Sequence, residues 1–392
     1  MKKAICGARL FDGESFQDGL ALVFSETGIE ALVAERRVPA GAEIIRADGH
    51  ILAPGFVDLQ VNGGGGVLFN NDPSLEGLKT ICRAHAQFGT TSLLPTLITD
   101  TPEVVHQAVA AGRAAQAEGI PGFLGLHLEG PHLALAKKGT HDPALIRPME
   151  TADCDFLVEN AGVFGVALIT VAPESVKRQQ VARLAAAGYT VSLGHTGTDC
   201  ATAGEYRMAG ATMATHLFNA MSPLNHREPG LVGAALSDGG FSCGLIADGY
   251  HVDPVAMGIA LRAKKGPGRI FLVTDAMSVT GTDMECFTLN GRTIYRSEGR
   301  LTLADGTLAG ADTDMLTCVM NCHRDLGVPL EEALRMASLY PADAVNAKNK
   351  GRLQEGADAD FVLLGEDLSL AATYIGGACV FSAGDSASVE HD

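Results

Sequence analysis

The chain lacks the features by which membrane and secreted proteins are usually recognised. No apolar run in its 392 residues approaches the ~20 residues that a transmembrane helix needs. The opening stretch, MKKAICGARLFDG, is basic, but it has neither the long apolar segment nor the small-residue cleavage site of a signal peptide. We therefore expect a cytoplasmic protein that has no membrane partner.

A basic stretch and a nucleotide-binding glycine motif are also missing. The 46 acidic residues outnumber the 29 lysines and arginines, and the resulting net charge of −17 argues against nucleic acid as a partner. Neither a G-x-G-x-x-G motif nor a P-loop opens a predicted helix. If the substrate is an anion, local groups must hold it against an unfavourable overall field.

The nine cysteines include no C-x-x-C pair. Their odd number and scattered positions fit reduced cysteines that pack as small hydrophobic residues in a cytosolic protein. Cys318 and Cys322 lie one helical turn apart, but two cysteines are too few for a structural zinc site. We interpret both as core residues.

What the sequence does have is a clear change of pattern along its length. Residues 1–51 and 350–384 show short strands broken by turns, and neither end has enough apolar residues to fold alone. In residues 52–349, eight apolar strand-like runs alternate with alanine-rich helical stretches, which is typical of a parallel sheet covered by helices. The pattern predicts an α/β fold, a (β/α)8 TIM-like barrel with a small β-sandwich domain formed by the two chain ends, and a polar tail at 385–392. A doubly wound open sheet is the alternative, but such a sheet is not limited to eight strands, whereas this barrel has eight.

Polar side chains recur where the predicted strands end, which is the edge that carries the active site in barrel enzymes. Four of them could carry chemistry: Glu129 in HLEGPH, His195 in LGHTG, His216 in THLFNAM and Asp275 in VTDAMS. A lone histidine at such a position is more often structural, and a lone aspartate more often caps a helix. The prediction therefore depends on their occurring together.

The first three of these residues form a standard ligand set for a catalytic metal. Glu129, His195 and His216 offer a carboxylate and two imidazoles from three strands, which suits zinc and also accepts Fe, Mn or Co. Asp275 ends the apolar run IFLVTD, and we expect it to face the metal across the barrel mouth. There it would take the proton of a metal-activated water and pass it to a leaving group.

The first strand, FVDLQVNGGGG, bears on the number of metals. In one large group of metal hydrolases, a strand of this kind ends in His-x-His, and both histidines hold a metal. We place those two positions at Asp58 and Gln60, so neither histidine is present.

The chain resembles the amidohydrolase superfamily, and within it the deacetylases that act on amino-sugar 6-phosphates. The matching segments run in order from residue 53 to about 312: APGFVDLQVNGGGGVLFN, GLHLEGPHL with KKGTHDP, SLGHT, THLFNAM, GLIADGYHVD, LVTDAM and GTLAGAD. Members without His-x-His work with one metal, so the resemblance implies one divalent metal per subunit. We expect Gln60 to hydrogen-bond near the metal water and Asp58 to be structural, with weak binding of a second metal as its alternative.

The resemblance also implies a substrate, N-acetyl-D-glucosamine 6-phosphate, whose acetamide is hydrolysed with Asp275 as general base and acid. Arg227 and His251 are expected to bind the phosphate, although Arg227 taken alone is more typical of a solvated loop charge. In this family the arginine comes from a neighbouring subunit, which implies a homodimer. The remaining expected substrate contacts are Thr140, His141, Asn219, Ala220, Leu308, Ala309 and Gly310. His127 shares a strand face with Glu129 and is expected to orient it, or else to be a packed structural histidine.

Three rival functions remain open. The nearest is deacetylation of the galacto epimer of the same sugar phosphate, which differs at one hydroxyl. Another is hydrolysis of a cyclic amide or a deamination, but such relatives usually keep His-x-His. A catalytically dead barrel used for binding or assembly predicts the loss of at least one of the four residues at the strand ends, and all four are present.

Overall fold

The computed structural model describes residues 2–384, and the predicted polar tail at 385–392 lies outside the described residues. The strands are β1 Lys3–Cys6, β2 Arg9–Phe11, β3 Phe16–Gln17, β4 Leu20–Ser25, β5 Gly28–Ala34, β6 Glu43–Arg46, β7 His50–Pro54, β8 Phe56–Val61, β9 Gly63–Gly64, β10 Val67–Leu68, β11 Thr90–Ile98, β12 Gly125–Glu129, β13 Val166–Val171, β14 Thr190–Leu193, β15 Ala211–Ala214, β16 Ser242–Leu245, β17 Ile270–Leu272, β18 Cys286–Leu289, β19 Arg292–Ser297, β20 Arg300–Thr302, β21 Leu308–Ala311, β22 Phe361–Gly365, β23 Leu370–Ile375 and β24 Ala378–Ser382. The α-helices are α1 Leu75–Ala86, α2 Pro102–Glu118, α3 Thr151–Glu159, α4 Arg178–Ala187, α5 Cys200–Met208, α6 Gly230–Ser237, α7 Pro254–Ala263, α8 Met315–Met320, α9 Leu330–Ala337 and α10 Leu339–Ala344.

Eight of these strands form the barrel, which confirms the predicted fold. Their order is β8, β11, β12, β13, β14, β15, β16, β17, and every neighbouring pair is parallel. Strands β8 and β11 are buried along their whole length, because helices cover their outer face and packed side chains fill the interior. This double burial explains why the strands read as continuous apolar runs.

The barrel closes through the segment that follows β17. The Asp275 N–H donates to the Gln60 carbonyl at 2.9 Å, and Ala276 forms a parallel bridge with Val61. The closure brings the end of the last barrel strand against the end of the first. The side chains that follow β17 therefore meet those that end β8.

The two chain ends build a second layered unit of two mixed sheets. One sheet has the order β5-β4-β1-β6, and the other has the order β24-β23-β22-β7-β2-β3, so the second sheet joins strands from both ends of the chain. Phe24 of one sheet packs against Phe361 of the other with ring centroids 5.0 Å apart. The predicted boundary at residue 51 falls inside β7, which runs to Pro54 and pairs with β22.

A four-stranded antiparallel sheet, β18-β19-β20-β21, follows the last barrel strand. Arg292 in this sheet donates to the Thr140 carbonyl, and the Tyr250 hydroxyl donates to the Glu298 carbonyl at 2.7 Å. The sheet is thus attached to two loops at the carboxyl ends of the barrel strands. Within residues 2–384, no helix is both long enough and apolar enough to cross a membrane.

Candidate active site

The carboxyl ends of the barrel strands enclose a cavity of about 160 Å³. The predicted site residues on its wall are Glu129, Thr140, His141, His195, His216, Asn219, Ala220, His251, Asp275, Leu308 and Gly310. Its remaining wall residues are Asn62, Ile98, Gly139 and Met277. Of the predicted site residues, Gln60, His127, Arg227 and Ala309 do not line it.

Three of the wall residues bring their ligand atoms together. Oε1 of Glu129 lies 3.2 Å from Nε2 of His195 and 3.1 Å from Nε2 of His216, and the two nitrogens are 3.0 Å apart. Zinc bonds of about 2.0–2.1 Å would hold tetrahedral ligand atoms roughly 3.3 Å apart, so the observed triangle fits one ion of that size. All three side chains are buried, which limits competition from water.

Glu129 and the two histidines influence one another's protonation. Burial lowers the pKa of His216, but the hydrogen bond and charge of Glu129 outweigh it and raise that pKa, so a metal ion would displace a proton there. Burial raises the pKa of Glu129, but the hydrogen bonds and charges of His195 and His216 outweigh it and hold that pKa well below its ordinary value. Nδ1 of His195 donates to the Lys137 carbonyl at 2.8 Å, so the lone pair of this imidazole is on Nε2. Nδ1 of His216 is buried and has no partner within the described residues, so no contact at that nitrogen holds the ring.

His141 offers a second possible triad, because its ligand atom and those of Glu129 and His195 lie within 4.8 Å of one another. However, Nδ1 of His141 accepts from the Thr99 N–H at 3.3 Å and lies 2.7 Å from the Thr99 hydroxyl. An imidazole that accepts at Nδ1 carries its proton on Nε2, and a protonated nitrogen cannot bind a metal. Burial, with the charge of His195, lowers the pKa of His141 to about 3, so the ring is neutral and acts as a donor. We therefore favour His216 as the third ligand.

Asp275 lies next to this ligand triangle. Burial, together with the negative charge of Glu129, raises the pKa of its carboxyl group above the ordinary value. Its Oδ1 accepts from Nδ2 of Asn62 at 2.7 Å and from Nε2 of Gln60 at 3.1 Å. A carboxylate with a raised pKa is a better proton acceptor, which is the property that a general base requires.

Asp58 has the structural role that was expected for it. Its carboxylate accepts from the Thr274 hydroxyl at 2.5 Å and from the Thr274 N–H at 3.3 Å, and it does not reach the cavity. Of the polar side chains on this face of strand one, Asn62 lines the cavity, and Gln60 contacts two of the wall residues, Glu129 and Asp275. Side chains alternate along a strand, so residues 58, 60 and 62 share a face. Asp58 is the one farthest from the carboxyl end of the strand, where the cavity lies.

Gln60 contacts two of the proposed catalytic residues directly. Its Nε2 lies 3.3 Å from Oε2 and 3.4 Å from Oε1 of Glu129, in addition to its contact with Asp275. Carboxylates only accept hydrogen bonds, so the amide nitrogen must face them. Gln60 thus connects the metal-ligand carboxylate to Asp275.

The expected contact between His127 and Glu129 is not present. Nε2 of His127 lies 2.8 Å from the Thr170 hydroxyl, and Nδ1 lies 3.3 Å from the Thr96 hydroxyl. Burial lowers the pKa of this histidine to about 4, so it is neutral. His127 is a packed structural histidine of the barrel interior, which is the alternative that the sequence left open.

Three residues of the site have left-handed backbone conformations. The φ angles are 47° at His195, 29° at His216 and 54° at Asp275. Residues other than glycine rarely adopt such angles, and they cost free energy unless the surrounding structure imposes them. Their occurrence at three strand ends around one cavity points to a functional site.

Two cationic candidates for a phosphate are placed differently. His251 lies on the cavity wall, and its Nδ1 is 2.6 Å from Oδ2 of Asp248. Burial raises the pKa of Asp248, but the hydrogen bond with His251 outweighs it, so the pKa is lowered and Asp248 remains a carboxylate. Arg227 is exposed on the loop before α6 and is absent from the cavity of its own chain.

Some wall residues received no role from the sequence. Asn62 is one of them, although its position two residues after Gln60 on the same face was a usable signal. Ile98 and Met277 are apolar and carry no chemical signature. Ala309, which was expected on the wall, is fully buried between Leu308 and Gly310.

Comparison with known proteins agrees with this geometry. The Amidohydrolase family model matches residues 51–380. The chain is 43% identical over 332 residues to an N-acetylgalactosamine-6-phosphate deacetylase of Shewanella sp. (strain ANA-3), covering 85% of this chain and 84% of that protein. It is 41% identical over 369 residues to an N-acetylglucosamine-6-phosphate deacetylase of Homo sapiens, covering 90% and 87%. The crystal structure of the N-acetylglucosamine-6-phosphate deacetylase from Pasteurella multocida superposes with a TM-score of 0.93 at 35% identity, covering 97% and 99%.

Proposed function

The chain belongs to the amidohydrolase family and is a hydrolase of carbon–nitrogen bonds, and we propose that it removes the acetyl group of N-acetyl-D-glucosamine 6-phosphate. The products are D-glucosamine 6-phosphate and acetate. The observation that carries this proposal is the triangle of Glu129, His195 and His216 beside Asp275, in a cavity that also contains His251. The enzyme would then work in amino sugar metabolism.

The family implies a divalent metal, and we propose a single ion, zinc by preference, held by Glu129, His195 and His216. When bound, such an ion lowers the pKa of a water molecule toward neutrality and polarises the acetyl carbonyl. The strand-one side chains nearest this cluster, Gln60 and Asn62, are amides. An uncharged amide is a weak ligand beside these carboxylates, which supports one ion per subunit.

The protein's own groups carry the proton. Asp275 accepts a proton from the attacking water and later delivers it to the amine nitrogen as the C–N bond breaks. Nε2 of His141 carries a hydrogen and is free to donate to the acetyl oxygen, where negative charge develops. Because burial keeps this imidazole neutral, it remains a donor without losing its own proton.

The phosphate is bound at the other end of the cavity in this proposal. His251, held by Asp248, provides one donor, and Arg227 of a second copy provides another. Asn219, Ala220, Thr140 and the backbone at residues 308–310 contact the sugar. Arg292 lies against the Thr140 carbonyl and adds positive charge beside the site.

A homodimer is supported by exposed apolar side chains, one of them on the loop that carries Arg227. Leu224 on this loop is 54% exposed, and Val255 and Ile259, one helical turn apart on α7, are 70% and 50% exposed. Exposed apolar side chains of this size are frequent at interfaces with another chain. We also propose the cytoplasm as the location, because all nine cysteines are free thiols.

The galacto epimer is the second candidate substrate, since the Shewanella relative acts on it by name. The test is release of free amine from N-acetylglucosamine 6-phosphate, its galacto epimer and the unphosphorylated sugar, with metal content measured on the same sample. We expect about one metal per subunit and turnover that requires the phosphate. Faster turnover of the galacto sugar would reverse the order of the two substrates. Metal without turnover of any of the three would refute the substrate class.

A further inference from the structure

Asn62 directly follows strand β8 and contacts the proposed general base. It is 2% exposed and lies on the cavity wall. Its Nδ2 donates to Oδ1 of Asp275 at 2.7 Å and to the Asp275 carbonyl at 3.3 Å. Gln60 donates to the same Oδ1 at 3.1 Å. Two amide groups therefore hold one oxygen of the carboxylate.

The other oxygen of Asp275 is left free by this arrangement. No hydrogen bond to Oδ2 is formed within residues 2–384, whereas Oδ1 accepts two. A base that moves a proton needs one site that is open to the proton and a geometry that is held by other contacts. The two oxygens of Asp275 are thus unequal, and Oδ2 is the one available for proton transfer.

Asn62 is oriented so that one of its own polar atoms has no hydrogen-bond partner. Its Oδ1 is buried without a partner in the described chain. A buried acceptor without a donor costs free energy, so the side chain is not oriented for the stability of its own amide. The amide nitrogen must face Asp275, because a carboxylate only accepts. The contact with Asp275 is what determines the orientation.

We propose that Asn62 is the positioning residue of the general base, and that it restricts proton transfer to Oδ2 of Asp275. This inference rests on the proposed function. In the first step a water O–H bond breaks, the proton moves to Oδ2, and the water oxygen bonds to the acetyl carbon. In the second step the C–N bond breaks and Oδ2 returns the proton to the amine nitrogen. Asn62 keeps Oδ1 fixed through both steps.

The main test is Asn62→Leu in the full-length, metal-loaded enzyme. Leucine has nearly the shape of asparagine but cannot donate. We expect kcat to fall about 10- to 100-fold, the loss of a hydrogen bond to a charged group, while KM and metal content stay unchanged. The solvent deuterium isotope effect on kcat should increase, because proton transfer becomes a larger part of the barrier.

A matched control is available in the same loop. Asn70 is 8% exposed and donates to Oδ2 of Asp100 at 2.8 Å, a partly buried amide–carboxylate contact, and it does not itself line the cavity. It also bonds the backbone of Ile98, so it controls for the loss of a buried amide next to the wall. Asn70→Leu should lower the melting temperature but leave the isotope effect on kcat unchanged. If Asn62→Leu does not fold, Asn62→Asp keeps the shape, replaces the donor with a second acceptor, and should lose at least as much kcat.

A double-mutant cycle completes the test. Asn62→Leu should cause no further loss in an Asp275→Asn background, because its effect acts through Asp275. Additive losses, an unchanged kcat in Asn62→Leu, or a loss of metal would overturn the proposal. The proposed function is judged separately, by turnover of the wild-type enzyme in the same assay.

Discussion

At the scale of single residues, Asp275 carries out both proton transfers of the proposed reaction. Asp275→Asn keeps the shape of the side chain but removes the base. We expect turnover to fall by about 10²- to 10⁴-fold, the usual size of a general acid–base effect. Metal stoichiometry should stay at the wild-type value, because Asp275 is not one of the three ligands. Near-normal turnover of this variant would contradict the assignment.

The two histidines that compete for the third ligand position can be separated by metal content. His216→Asn should lose most of the bound metal, because Nε2 of His216 lies 3.1 Å from Oε1 of Glu129. His141→Asn should keep the metal and lower kcat by about 10²- to 10³-fold, the cost of removing one donor to a developing oxyanion. Elemental analysis and kinetics on both variants decide the point. Loss of metal from the His141 variant alone would make His141 the third metal ligand and His216 the donor to the oxyanion.

Asp58 should make stability depend on pH. Burial raises the pKa of Asp58 from 3.8 to about 7, even though Thr274 donates to it. Between pH 4 and 7 the folded state therefore keeps a proton that the unfolded chain has lost, so stability falls as the pH rises through this range. The slope is at most about 1.4 kcal/mol per pH unit for one group.

The variant Asp58→Asn removes this titration. Melting temperatures of the wild type and the variant, measured from pH 4 to pH 7, should diverge in favour of the variant as the pH rises. A difference that stays constant over this range would show that Asp58 is charged throughout, with its carboxylate stabilised by Thr274.

At the scale of elements, a partly buried lysine forms two ion pairs in the segment that leads from the barrel to the chain-end sheets. Lys350 lies between α10 and β22, and its ammonium group is 2.6 Å from Asp360 and 2.7 Å from Asp358. Burial lowers the pKa of Lys350, but the charges of the two aspartates outweigh it and raise that pKa. The lysine is therefore charged, and its single positive charge is shared between the two carboxylates.

Lys350→Met would remove the cation from the two carboxylates, which would keep only neutral donors, Asn349 on Asp358 and the Gly376 N–H on Asp360. Breaking a buried ion pair costs about 3–5 kcal/mol, and the 39% exposure of Asp358 reduces this to roughly 2–3 kcal/mol. The melting temperature should fall by several degrees. Lys348→Met, at an exposed lysine two residues away, is the control and should leave it unchanged. Equal melting temperatures of the two variants would show that the ion pairs contribute nothing.

At the scale of the whole molecule, the exposed position of Arg227 predicts that the site is shared between two chains. Arg227→Ala should raise KM for the phosphorylated sugar about tenfold or more, the loss of a charge-assisted hydrogen bond. The decisive measurement mixes this variant with Asp275→Asn. In a mixed dimer, one site combines an intact Asp275 with an intact Arg227 from the other chain.

Random mixing should therefore restore about a quarter of the wild-type activity, since half of the dimers are mixed and each has one complete site. If Arg227 served its own chain, every site would lack one of the two residues, and mixing would restore nothing. Size-exclusion chromatography of the wild type should show a dimer. The monomeric form alone would refute the shared site.

Much of the fold could be predicted because the sequence features that indicate it lie within short stretches of the chain. The fold and the family were predicted correctly from apolar runs and strand-end motifs, since double burial leaves a continuous apolar stretch. The contact of Asn62 with Asp275 was missed, because Asp58, Gln60 and Asn62 share a face and the sequence does not show which of them reaches the cavity. His127 was expected either to orient Glu129 or to be a packed structural histidine, and its two nitrogens lie against threonines from neighbouring strands.

By itself, the sequence determined the barrel, the strand ends that carry polar groups, and the residue types available for binding a metal. Each of these follows from burial and periodicity within a short stretch of chain. The tertiary structure decided which strand-one residues reach the site, which nitrogen of His141 carries the hydrogen, and which oxygen of Asp275 stays free. These features depend on contacts between distant residues, such as Asn62 and Asp275, which are 213 positions apart and meet only because the barrel closes.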